Sequence, residues 1–135
     1  MELIPITFNK ILQSRSYTVI ILGTSQKNFA IYADPSVGKN IQTYLTEEEK
    51  PRPFTHDLIN AVFQGFEIKV LQVVVSDVQD TICFARLFLE MEKGDQKHIL
   101  EIDARPSDAI TLALLHNAPV FCRRDVLERA IPMEE

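Results

Sequence analysis

The architecture can be worked out from the stretch His98-Ile99-Leu100-Glu101-Ile102-Asp103-Ala104-Arg105-Pro106-Ser107-Asp108-Ala109-Ile110. Its first half, to Asp103, reads as a strand. Proline then suits the first helical position, because the N–H it lacks has no partner there. Ile110, Leu112, Ala113, Leu114 and Leu115 supply the apolar body of a helix that ends near Asn117, before Pro119. An earlier stretch echoes this one. Ile31-Tyr32-Ala33-Asp34-Pro35-Ser36 matches Ile102-Asp103-Ala104-Arg105-Pro106-Ser107 at four of six positions. The echo marks either a duplicated strand–helix unit or convergence on a good strand-to-helix turn.

On the N-terminal side, Phe66 to Val75 and Thr81 to Met91 are long strand-like runs, with a turn expected over Ser76 to Asp80 and another at Lys93-Gly94-Asp95-Gln96. Cys83 alternates with Ala85, Leu87 and Leu89, as a small residue on one strand face. Phe84 and Phe88 are expected in the core. Leu3 to Phe8, Tyr17 to Leu22 and Phe29 to Ala33 read as strands. Asp34 is expected to cap a helix carrying Val37, Ile41, Tyr44 and Leu45 on one stripe. Pro51-Arg52-Pro53 forces an extended segment. Thr55 is expected to cap a second helix ending at Gly65. Val120 and Phe121 suit a short strand, and Arg124 to Ala130 a short terminal helix. The whole, residues 1–135, reads as one α+β domain with a twisted, mainly antiparallel sheet and three principal helices.

At 135 residues the chain has the size of one domain, and needs no disulfide or metal staple. Its 46% apolar and 24% charged residues exclude a disordered chain. No apolar run reaches membrane-spanning length. Met1-Glu2-Leu3-Ile4-Pro5 lacks the basic and apolar regions of a secretory signal. Cys83 and Cys122 form no CxxC pair and are expected to be reduced and partly buried. A cytoplasmic location follows. Fourteen Lys and Arg against nineteen Asp and Glu give a net charge of −5. A nucleic-acid role must then rest on a local patch or on bound metal ions.

Two polar clusters stand at helix starts: Arg52-Pro53-Phe54-Thr55-His56-Asp57 and Glu101 to Asp108. Strand alternation puts Glu101, Asp103 and Arg105 on one face. Asp108, three residues past a cap at Arg105, is expected to reach back to the cap N–H. One chemistry that suits these groups is phosphodiester hydrolysis. Asp103, Asp108 and Asp57 are carboxylates of the kind that hold Mg²⁺ or Mn²⁺. Arg52 and Arg105, with Ser107 at the second helix start, suit phosphate oxygens. His56 can move a proton near neutral pH. The competing reading is a structural network of helix caps and ion pairs in a non-catalytic module, or an anion-binding site without chemistry. His98 is expected to be solvated. His116 falls in the last turn of a helix, where a cation suits the dipole.

Arg52-Pro53-x-Thr55-His56-Asp57-Leu58, followed after two β runs by Glu101 to Ile110 and then by Ala118-Pro119-Val120-Phe121, closely resembles the bifunctional nuclease domain family, from about residue 17 to 131. That family includes a plant defence-response nuclease acting on DNA and RNA, and many small bacterial proteins. The resemblance implies a compact α+β domain, often self-associated as a homo-oligomer, with nuclease activity. One departure is visible. Asp34-Pro35-Ser36-Val37-Gly38-Lys39-Asn40 stands where relatives show an acidic, alanine-rich helix start. The short helical segment that some relatives append is expected to be missing.

Overall fold

The computed structural model describes residues 2–133; readings that fall on Met1, Glu134 and Glu135 lie outside it. The elements are β1 (Leu3–Gln13), β2 (Thr18–Gly23), β3 (Asn28–Ala33), α1 (Pro35–Thr46), α2 (Thr55–Gly65), β4 (Ile68–Gln79), β5 (Ile82–Lys93), β6 (Gln96–Ala104), α3 (Pro106–His116), β7 (Val120–Arg123) and α4 (Arg124–Arg129).

Seven strands form one sheet in the order β3-β2-β1-β7-β4-β5-β6. Among the described residues only the β4–β7 pairing is parallel. The arrangement is two three-stranded antiparallel meanders flanking β7, and each meander runs into a helix that starts with proline. The sequence echo therefore falls at equivalent places in two equivalent units. In both, the residue before proline is extended, Asp34 at φ −63°, ψ 153° and Arg105 at φ −63°, ψ 137°, as proline requires of its predecessor. Both helices end on a left-handed residue, Glu47 and Asn117.

Helix α3 is the hub. Ile110 joins the cluster formed by Ile20, Leu22, Phe29, Ile31 and Val75. Ala109, Leu112 and Ala113 pack instead with Val70, Val73, Ala85 and Leu87. A helix buried on several sides needs small residues, and the alanines meet that need. Helix α1 is fixed by one hydroxyl. Thr18 Oγ1, fully buried, donates to the Asp34 carbonyl at 2.8 Å and accepts from the Gly38 N–H at 3.0 Å.

Several sequence expectations need correction. Thr55 is not the cap of α2: Phe54 holds that position, and its N–H donates to Asp57 Oδ2 at 2.7 Å. Asp34 occupies the cap position of α1 but makes no side-chain cap bond. The turn between β4 and β5 is not Ser76 to Asp80. The strands continue past a bulge between Val75 and Asp77 and turn at Asp80-Thr81, with Asp80 at φ 58°. Phe84 is not core: it lies on the sheet face away from Ala85 and Leu87 and is partly exposed. Phe88 shares that face. Cys83 is partly buried and Cys122 fully buried, and both are free thiols. Burial raises both thiols, Cys122 to about 12. Among the described residues no helix is long and apolar enough to cross a membrane.

Candidate functional site

The two strand-to-helix turns of the repeated unit converge. A groove of about 420 Å³ is lined by Ala33 and Asp34 from the first turn and by Arg105, Pro106 and Ser107 from the second. Tyr17 and Tyr32 form another wall. Both rings are about half exposed and meet edge-to-face, with centroids 5.6 Å apart. Tyr32 stands outward on β3 because its neighbour Ile31 faces the core.

Arg105 is held in place at this groove. Its Nε donates to Asp108 Oδ2 at 2.8 Å and its Nη2 to Asp108 Oδ1 at 3.2 Å. From α2, His56 Nε2 lies 2.9 Å from Asp108 Oδ1. An ionised carboxylate only accepts, so Nε2 carries the hydrogen in this contact. Nδ1 of His56 is buried with no hydrogen-bond partner among the described residues. Burial works to raise the Asp108 pKa. The hydrogen bonds from Arg105 and His56 outweigh it and hold the carboxyl below its usual range. The same hydrogen bond raises the Arg105 guanidinium above its ordinary value, and the charge of Asp34 adds to the effect. The side chain of Arg105 stays two-thirds exposed, so a fixed cation faces solvent on a partly buried anchor.

The sequence-selected residues thus separate into groups. His56, Asp108 and Arg105 form one network linking α2 to α3, and Ser107 sits beside it, buried, on the groove wall. Asp108 does not reach back to the cap N–H as expected; the guanidinium takes its oxygens instead. Asp57 makes that backward reach in α2 and also pairs with Lys50 at 3.4 Å. Lys50 in turn lies over the rings of Tyr44 and Phe54, at 5.1 and 5.5 Å. Burial, and then the charge of Asp57, push the Tyr44 phenol up to about 12. Asp103 points to the face opposite Ile102 and Ala104, where Arg86 Nη1 is 3.8 Å away. Glu101 takes Arg86 Nε at 2.8 Å on the same face. Arg52 is exposed and makes no ion pair with a described residue.

The Asp103–Asp108 pair is therefore not a ready-made ligand set for Mg²⁺ or Mn²⁺. Asp103 faces Arg86, and both oxygens of Asp108 are engaged. Among the described residues no three His, Cys, Asp or Glu side chains are grouped to hold a metal.

Sequence reasoning missed three residues at the groove: Tyr17, Tyr32 and Asp34 as a lining carboxylate. Tyr32, a phenol between the aliphatic Ile31 and Ala33 of a strand, was the available signal, since a phenol at an outward position offers a stacking face.

The groove is built almost wholly from residues inside one recognisable unit. The sequence model of the bifunctional nuclease domain matches residues 20–134. The chain belongs to the bifunctional nuclease domain family. Two uncharacterized proteins of Mycobacterium tuberculosis are also similar to it: MT1877 from strain CDC 1551 / Oshkosh and Rv1829 from strain ATCC 25618 / H37Rv. Each is 30% identical over 82 residues, which is 61% of this chain and 46% of theirs. The chain thus spans about half the length of the curated relatives it matches. Those names state no activity, so the family assignment and the geometry carry the functional reading.

Proposed function

We propose that this domain is a nuclease that binds DNA or RNA strands in the Tyr17–Tyr32–Arg105 groove and hydrolyses their phosphodiester bonds. The observation that supports this reading is the anchored guanidinium of Arg105 beside two exposed tyrosine rings. A guanidinium grips phosphate oxygens bidentately, and its position is fixed before substrate arrives. Aromatic faces stack bases without regard to sequence, which suits action on both DNA and RNA. Asp34 is the carboxylate lining the groove and takes the role of orienting the attacking water. Asp108 and His56 are positioning residues, since they reach the substrate through Arg105. No step is assigned to a metal, since among the described residues no three His, Cys, Asp or Glu side chains are grouped to hold one.

The test is cleavage of labelled single- and double-stranded DNA and RNA with Mg²⁺, Mn²⁺ or EDTA. Wild type is expected to cut, and Arg105→Ala to cut about 10²-fold more slowly. Asp34→Asn is expected to lose rate in kcat, and Asp103→Asn to retain it. Absence of cutting by wild type, or equal cutting by Arg105→Ala, would contradict the proposal.

A second reading has its own observation. His56 is buried and the oxygens of Asp108 are fully engaged, as in a network that only locks α2 to α3. In a non-catalytic module, Arg105→Ala would lower the melting temperature and leave no catalytic defect to measure.

A further inference from the structure

The two edges of the sheet are finished differently. β3 is six residues long, and the chain beyond α4 returns to it, where the Met133 N–H donates to the Asn28 carbonyl at 2.8 Å. β6 is nine residues long and pairs only with β5. Nothing among the described residues pairs with its outer edge. Ile99 and Leu100 on it are 55% and 56% exposed, on opposite faces. A long edge with apolar residues on both faces is a template for another strand.

The charges along β6 say which strand. A two-fold axis through Leu100 would lay β6 antiparallel to a second copy of itself. Lys97 of each copy then stands opposite Asp103 of the other, and Leu100 opposite Leu100. Two opposite-charge pairs result from one symmetry operation. Asp103 is available for this, with a side chain 74% exposed and its nearest internal cation 3.8 Å away. Lys97 is similarly loose, 3.6 Å and 3.8 Å from Glu90 and Glu92. The alternative axis through Ile99 would oppose Lys97 to Glu101, which Arg86 already holds at 2.8 Å.

We infer that β6 is a homodimer edge, joining two copies of this chain into one continuous sheet through an axis at Leu100. Asp103, set apart from the groove, gains a role as half of an intersubunit pair. Dimerisation through this edge does not depend on nuclease activity.

Sedimentation equilibrium of the full chain tests it. Wild type is expected at twice 15.4 kDa. Lys97→Asp sets two carboxylates against each other in both intersubunit pairs, and Asp103→Lys sets two ammonium groups against each other. Each variant alone is expected to weaken the dimer about tenfold or more, with its circular-dichroism spectrum unchanged. Mixed in equal amounts, the two variants restore an opposite-charge pair at both places in the heterodimer, so wild-type dimerisation returns. A monomeric wild type would overturn the inference. So would an Asp103→Lys variant that dimerises like wild type, or a mixture no tighter than its components.

Discussion

Asp108 is the residue on which the site turns. It is half-buried, and its two oxygens serve Arg105 from its own helix start and His56 from another helix. Removing one partner of a charged, partly buried hydrogen bond costs about 1.5–3 kcal/mol. Asp108→Asn and His56→Ala should therefore each lower stability by that order in urea unfolding, and slow cleavage by releasing Arg105. The pH dependence follows from the direction of the Asp108 shift. Its folded pKa lies below its ordinary value, so its contribution is fully present above about pH 4 and is lost as pH falls through the folded value. Melting temperature should fall in that acid window for wild type and fall less for Asp108→Asn. His116 shows the opposite chemistry. Burial lowers its pKa, and its Nε2 has no hydrogen-bond partner among the described residues. It is not the helix-end cation that its place in the last turn suggests. The unfolded chain binds its proton first, so His116 costs stability as pH drops below about 6.5. His116→Phe, set against Phe63, should flatten the loss of melting temperature as pH falls below about 6.5. These residue-scale properties were only partly legible. That His56, Arg105 and Asp108 stand at helix starts was readable from the sequence. That Arg105 holds both oxygens of Asp108, while Asp103 turns to Arg86, depends on a neighbouring strand.

The elements were largely legible because their signals are local. Proline after an extended residue begins α1 and α3, and alternation marks β5. The failures have tertiary causes. Ser76 and Asp77 carry turn chemistry, yet a bulge keeps them in β4, where Arg129 from α4 bonds Asp77 Oδ1 and the Val78 carbonyl. Phe84 is apolar like its neighbours, and only the sheet's orientation puts it outside. The start of α1 gives the clearest prediction here. A Cβ at Gly38 would collide with Gln13 Oε1 and lie 2.7 Å from Thr18 Oγ1. Gln13 can swing aside, but buried Thr18 cannot. Gly38→Ala should destabilise the protein by about 1–3 kcal/mol in chemical denaturation. Thr18→Val keeps the shape, removes the hydroxyl's bonds to Asp34 and Gly38 among others, and should cost about 1–3 kcal/mol through the buried groups it strands.

At the scale of the molecule, two meanders and their helices meet at one groove, so the repeated turns supply both an acidic and a basic group to it. The net charge of −5 gives no broad electrostatic attraction for nucleic acid. Binding should then depend weakly on salt, with a slope of about −0.7 in log–log form for each phosphate neutralised on a single strand. Fluorescence anisotropy across salt concentrations checks this, and a slope as steep as several phosphates would place binding elsewhere. The convergence of the two turns was not legible from the echo alone, because distance along the chain says nothing about which ends face each other.

A nuclease working as proposed holds its nucleic acid in the groove between Tyr17, Tyr32 and Arg105. The decisive measurement is photocrosslinking of a 4-thiouridine oligonucleotide to the full chain, followed by peptide mapping. Crosslinks on Tyr17 and Tyr32, lost on Arg105→Ala, are the predicted result. Crosslinks confined to the Arg86–Asp103 face, or unchanged by that substitution, would contradict it.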